Sequence, residues 1–106
     1  MEYKFTADNF DAEVLQASTP VLVDFYADWC NPCRMMGPLV AMVAQEYEVR
    51  IKVGKCNIDE NMELASSYRI SSIPAFLVFK GGKPVATYVG AMSAADLREK
   101  MEQVLA

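Results

Sequence analysis

The sequence predicts an α/β fold of three layers: a mixed five-stranded sheet covered by helices on both faces, with elements in the order βαβαβαββα. Three observations lead there. Segments of strand character alternate with segments of helical periodicity along the whole chain. Residues 20–27 are apolar or aromatic at every position but one, the pattern of a strand buried on both faces. The last two apolar runs flank Gly81-Gly82, a hairpin signal that makes them antiparallel. With 106 residues, 53% of them hydrophobic, the chain has material for one domain, residues 1–106, and none for a second.

Each element has its own signal. Tyr3 and Phe5 alternate with polar neighbours and read as the first strand. Residues 6–8 offer capping side chains before Phe10, Val14 and Leu15, which share one face of a helix. Residues 20–27 are the second strand, placed mid-sheet by their continuous apolarity. From 32 to 47 the spacing is helical: Leu39, Val43 and Tyr47 stack at four-residue intervals, with Met35, Met36, Val40 and Met42 filling the core beside them. Pro38 inside this helix lacks a donor and crowds the preceding turn, which predicts a kink eased by Gly37. Residues 51–58 form a third strand, and Asp59 and Asn61 begin a short polar helix ending near Tyr68. Residues 75–79 and 85–89 are the hairpin strands. Ser93 and Asp96 open a last helix with Leu97, Met101, Val104 and Leu105 on one face and Arg98, Glu99, Lys100 and Glu102 outside.

Composition excludes several functions. Ten Lys and Arg against 14 Asp and Glu leave a net charge of -4, with no basic stripe to follow a phosphate backbone, so nucleic acid is not an expected partner. The longest apolar runs fall far short of the roughly 20 residues that span a bilayer, so no membrane is expected and the protein should be soluble; a monomer is the expected state. The first residues, Met1-Glu2-Tyr3-Lys4-Phe5-Thr6, lack a basic start followed by an apolar stretch. Cytoplasm is the expected location, and a leader removed from a precursor would instead place the protein outside it. His is absent, which removes Cys-His catalysis and mixed Cys/His zinc sites.

The chemistry lies in the cysteines. Sites in α/β sheets form beyond the carboxyl ends of strands, which points to residues 28–33 after the central strand. There Cys30 and Cys33 are separated by two residues, so both sulfurs sit on the first turn of one helix, within bonding reach. The unpaired N–H groups and the positive end of the helix dipole favour a thiolate, lowering the pKa of Cys30 and making it a nucleophile. Pro32 suits the first turn and stiffens it. A static disulfide or half of a zinc site uses the same spacing, but zinc needs four ligands and only Cys56 remains, so no metal is expected.

Other residues stand out against their surroundings. Asp24 is the one carboxylate in what should be a buried strand, the alternative being a solvated side chain facing the sheet edge. Desolvation raises its pKa and suits it to accept the proton of Cys33. Lys55 interrupts the third strand in the same way and is its candidate partner, the alternative being a side chain that reaches water at the sheet edge. Cys56 faces away from Lys55 and the active pair; it reads as a small buried hydrophobe, or else as a regulatory thiol. Trp29, in a loop beside Cys30, is either core or an exposed contact for protein substrates, and the loop position favours contact.

The segment Phe25-Tyr26-Ala27-Asp28-Trp29-Cys30-Asn31-Pro32-Cys33-Arg34 resembles the active-site segment of the thioredoxin family. The resemblance extends through Pro38, Lys55-Cys56-Asn57-Ile58-Asp59, Ser72-Ile73-Pro74, Gly81-Gly82 and Val89-Gly90-Ala91, in family order. It implies a thiol-disulfide oxidoreductase that reduces protein disulfides. Cys30 would attack, and Cys33, the more buried sulfur, would resolve the mixed disulfide. It also implies that Asp24 and Lys55 lie close together and that Pro74 is a cis-proline beside the cysteines. From the residues alone Ile73-Pro74 is equally an ordinary trans turn. Trp29, Asn31, Pro32, Ile73, Pro74, Gly90 and Ala91 would form a weakly polar contact face for substrates. No bound cofactor is implied; electrons would come from NADPH through a thioredoxin reductase. Two other readings share the fold: an extracytoplasmic disulfide oxidase or isomerase, and a redox-inactive binding subunit. Asn31 stands where the family usually has Gly. A hydrogen bond from its side chain that favoured the thiolate would stabilise the reduced state, so a somewhat less reducing potential is expected. Ala75 and Arg34 also depart from common family residues, without touching the mechanism.

Overall fold

In the computed structural model, which describes residues 1–106, five strands form one sheet. They are β1 (Glu2–Lys4), β2 (Val21–Tyr26), β3 (Lys52–Asn57), β4 (Ala75–Lys80) and β5 (Lys83–Val89), arranged β1-β3-β2-β4-β5. β1, β3 and β2 are parallel, whereas β4 runs antiparallel to β2 and β5 antiparallel to β4. The helices are α1 (Asn31–Glu46), α2 (Met62–Ser67) and α3 (Ala94–Leu105), preceded by a short π-helical segment, Asp11–Leu15. The order is the one the sequence predicts, and no helix is long and apolar enough to cross a membrane.

β2 sits in the centre because both its faces are apolar; Val21, Leu22, Val23 and Phe25 are fully buried. Its alternating side chains divide the core in two. Leu22 joins Met36, Val40 and Val43 of α1 and Leu97, Met101 and Val104 of α3 on one face. Val21, Val23 and Phe25 join Phe5, Phe10, Val14, Cys56 and Ala65 on the other. The α3 start also matches expectation, since Ser93 Oγ accepts the Asp96 N–H at 3.1 Å.

Several local expectations need correction. The first helix is only five residues long, although Thr6 and Asn9 do exchange hydrogen bonds that shape its entry and Phe10 and Val14 are buried. Met35 is not core but 74% exposed. One residue is a rotation of about 100° on a helix, so the core-facing stripe runs through Cys33, Met36, Val40, Val43 and Tyr47 and leaves Met35 outside. α1 runs from Asn31 to Glu46 with Pro38 inside it on the exposed side, where the missing N–H leaves one rung of the ladder unmade. In β5, Pro84 is tolerated because the strand is at the sheet edge, next to a register shift opposite Val78 and Phe79.

Two backbone positions constrain side-chain choice. Gly54 pairs with Tyr3, and a Cβ there would meet the Phe5 ring at 2.5 Å and the Tyr3 Cβ at 2.8 Å. α2 ends in a Schellman motif, with the Ile70 N–H on the Ala65 carbonyl and the Arg69 N–H on the Ser66 carbonyl, which puts Arg69 at φ 57°. A residue with a Cβ is strained in that region.

Two measurements check this account by urea unfolding. Gly54→Ala should lower stability by about 2 kcal/mol, because neither Tyr3 nor the buried Phe5 can withdraw freely. Arg69→Gly should raise it by about 1 kcal/mol through relief of the left-handed conformation. An unchanged or opposite midpoint in either variant contradicts the backbone geometry described.

Candidate active site

The site forms where β2 hands over to α1. After Tyr26 the chain leaves the sheet through Ala27, Asp28 and Trp29, and Cys30 becomes the N-cap of α1 with extended backbone, φ -91° and ψ 109°. Its Sγ accepts the N–H of Cys33 at 3.2 Å, so an otherwise unpaired helix-start donor points at sulfur. Asn31 and Pro32 occupy the first helical positions, where Pro32 sacrifices no hydrogen bond. Cys30 and Cys33 are joined as a disulfide with their Cα atoms 5.2 Å apart. In this oxidised form both residues are buried, Cys30 at 5% and Cys33 at 4% exposed, so Cys30 is not an exposed member of the pair. What distinguishes them is position. Cys30 caps the helix, and Cys33 lies one turn further in. Asn31 is exposed, and its side chain hydrogen-bonds neither sulfur.

Two loops close on the pair. The Ile73-Pro74 peptide is cis, which the residues alone left open, and the Ile73 carbonyl oxygen lies 3.9 Å from Cys30 Sγ. The Pro74 carbonyl accepts the Gly90 N–H at 2.8 Å, and Gly90 has φ 100°, a conformation suited to glycine. This bond ties the Gly90-Ala91 loop to the proline loop, with Pro74 buried, Ile73 and Gly90 half-buried and Ala91 exposed. Trp29 is 68% exposed beside Cys30, and its Nε1 donates to Asp59 Oδ2 at 2.8 Å. Asp59 is a residue the sequence reading missed, because its apparent task was to begin α2.

Beneath the pair is a cavity of about 510 Å³. Asp24, Ala27 and Cys33 form its buried floor, and Glu2, Arg34 and Lys55 lie on its solvent side. Asp24 is 4% exposed, and its Oδ1 has no hydrogen-bond partner in the protein. Burial, reinforced by the nearby Glu2 carboxylate and opposed by Lys55, pushes its pKa up to about 7. Asp24 and Lys55 are register partners across β2 and β3, as expected of close neighbours. They form no ion pair, however: Lys55 is exposed, with its Nζ 5.6 Å from the Tyr26 ring centroid. A Lys stem reaches water more cheaply than it gives up hydration to follow a carboxylate inward. Glu2 was invisible to the sequence reading, since only the β1-β3-β2 strand order brings it to this cavity.

Cys56 is fully buried on the opposite face of the sheet, among Phe25, Phe5 and Ala65, and burial pushes its thiol up to about 11. A thiol so placed is not a thiolate at neutral pH. No group of three or more Cys, Asp or Glu side chains is arranged to hold a metal ion.

Comparison with known proteins agrees with this geometry. The thioredoxin family profile matches residues 2–103. Thioredoxin 1 of Nostoc sp. is 50% identical over 100 residues, covering 94% of each chain. The thioredoxin of Acidithiobacillus ferridurans is 48% identical over 92% of this chain and 91% of its own. The chloroplastic M-type thioredoxin of Chlamydomonas reinhardtii is 47% identical over 92% of this chain and 70% of its own. With a family match over nearly its whole length and a cysteine pair at the mouth of the central strand, the chain belongs to the thioredoxin family of protein-disulfide reductases.

Proposed function

We propose that the chain reduces disulfides in protein substrates with Cys30 as nucleophile, Cys33 as resolving thiol and Asp24 as proton acceptor. The observation that carries this assignment is the placement of the Cys30–Cys33 pair on the first turn of α1, with Cys33 over the same cavity as buried Asp24. Cys30 thiolate attacks a substrate sulfur, forming a mixed disulfide and releasing one substrate thiolate. Asp24 takes the proton of Cys33, and the Cys33 thiolate attacks Cys30 Sγ. That step forms the Cys30–Cys33 bond and releases the second substrate thiolate, so two electrons pass to the substrate. Trp29, Asn31, Pro32, Ile73, Pro74, Gly90 and Ala91 are the contact face, with the Ile73 backbone bordering Cys30. Lys55 acts on Asp24 through its field from the cavity rim rather than as a bonded partner.

The oxidised pair needs a source of two electrons for the next cycle. A flavoprotein thioredoxin reductase drawing on NADPH is the proposed donor, and the cytoplasm the proposed location. No prosthetic group is needed in this chain, because the sulfurs themselves carry the electrons.

Reduction of insulin disulfides tests the roles. Cys30→Ser should abolish turnover. Cys33→Ser should still attack but accumulate a mixed disulfide, seen as an adduct by mass spectrometry. Adduct formation by Cys30→Ser instead would reverse the assignment.

Asp24 yields a second pair of expectations. Only its ionised form accepts a proton, so the resolving step should rise as pH passes through about 7 and then level off. Asp24→Asn should remove that inflexion and slow the step by about 10- to 100-fold. For stability the sign is opposite. The folded protein holds a proton on Asp24 between about pH 4 and about 7 that the unfolded chain has already lost, so stability falls as pH rises across that window. Asp24→Asn should flatten this decline and be more stable than the parent at pH 8 by on the order of 3 kcal/mol in urea titrations. A parent whose stability stays level from pH 4 to 7 contradicts the buried carboxylate.

A further inference from the structure

We propose that Glu2 is a positioning residue of the exchange reaction: with Lys55 it forms the outer, solvent-facing pair of a charge relay whose inner members are Asp24 and Cys33. The inference rests on Asp24 being the proton acceptor, and it adds the route by which that proton reaches water.

The strand order makes the case. β1, β3 and β2 lie side by side, and alternation puts Glu2, Lys55 and Asp24 on the same face of the sheet, the face covered by α1. All three line the one cavity that also contains Cys33. Glu2 on the edge strand β1 is half-buried, Lys55 on β3 is exposed and Asp24 on the central β2 is buried. Asp24 forms no ion pair with Lys55, and its Oδ1 has no partner in the protein, so its carboxyl is free to change protonation without breaking a bond. The other charged or titratable groups around it are Arg34 on α1, Tyr26 and Asp28 at the end of β2, and Lys4 on β1, the register partner of Lys55. Glu2 is the carboxylate that acts on it most strongly after burial itself, and Lys55 acts in the opposite sense. Glu2 in turn has its own pKa raised by burial, against the opposing charges of Lys55 and the N-terminal ammonium. A proton leaving Asp24 through this cavity therefore passes a second carboxylate on the cavity wall. The sign of each neighbour follows from Coulomb's law: the Glu2 charge favours the neutral acid, and the Lys55 charge favours the carboxylate.

The test is the titration midpoint of the Asp24 carboxyl, read from its carbon-13 shift, together with the pH profile of the resolving step. Glu2→Gln should lower the midpoint by about half a pH unit, and Lys55→Gln should raise it by a similar amount. The double variant should fall between the two. The inflexion in the resolving step should move with the midpoint in each case. A purely structural role for either side chain does not produce shifts of opposite sign. A midpoint unmoved by Glu2→Gln overturns the inference. An inflexion that persists in Asp24→Asn overturns instead the assignment of Asp24 as acceptor.

Discussion

The burial of β2 on both faces is the constraint on which the rest of the molecule depends. A strand with Val21, Val23 and Phe25 on one side and Leu22 on the other has to lie between two hydrophobic layers. Its neighbours β3 and β4 then occupy both flanks, and the helices have to cover the two faces. The chain leaves β2 at its carboxyl end, in the gap between sheet and helix, and turns directly into α1. Cys30 is at the N-cap because the strand ends there. Cys33 is over Asp24 because α1 packs on the face that Leu22 and Asp24 share.

That arrangement sets two potential anions in one small space. Cys33 and Asp24 line the same cavity, and two groups that could each carry a negative charge in one such space share protons rather than ionise independently. In the proposed cycle the Asp24 carboxyl, on the wall of that cavity, receives the proton that Cys33 gives up. An acceptor near 7 can take the proton and release it again at neutral pH, whereas an ordinary exposed carboxylate would hold it too weakly. The opposite face shows the contrast. Cys56 is buried just as deeply but sits among apolar side chains, away from the helix start, and its thiol stays protonated. The same residue type is redox-active at one position and inert filling at the other because of the dipoles and solvent around it.

The surface over the cysteines is held by short polar ties. The indole of Trp29 stays exposed yet fixed through Asp59, and the Pro74 carbonyl to Gly90 N–H bond locks two loops into one face. Ordering these groups before any partner arrives reduces the entropy lost on binding. A face of backbone, proline and one aromatic ring makes few directional demands, which suits a reductase that meets disulfides in varied surroundings.

The fold was legible in the sequence because its signals are local. Apolar runs, helical spacing, the Gly81-Gly82 turn and the Ser93 cap each depend on residues a few positions apart. The same locality exposed Cys30 and Cys33, a pair on one turn, and Asp24, a charge within an apolar run. Met35 was misplaced because a methionine is apolar enough for core and its outward direction depends on the rotation of α1 against the sheet. Tertiary structure alone decided the rest. Glu2 joins Asp24 only through the β1-β3-β2 order, Asp59 meets Trp29 across 30 residues, and Lys55 turns to water rather than to Asp24. Local residue patterns were enough to mark the cysteine pair and the buried carboxylate. The packing of distant strands and loops determined which charges surround them, because Coulombic and desolvation effects depend on distance in space and not along the chain.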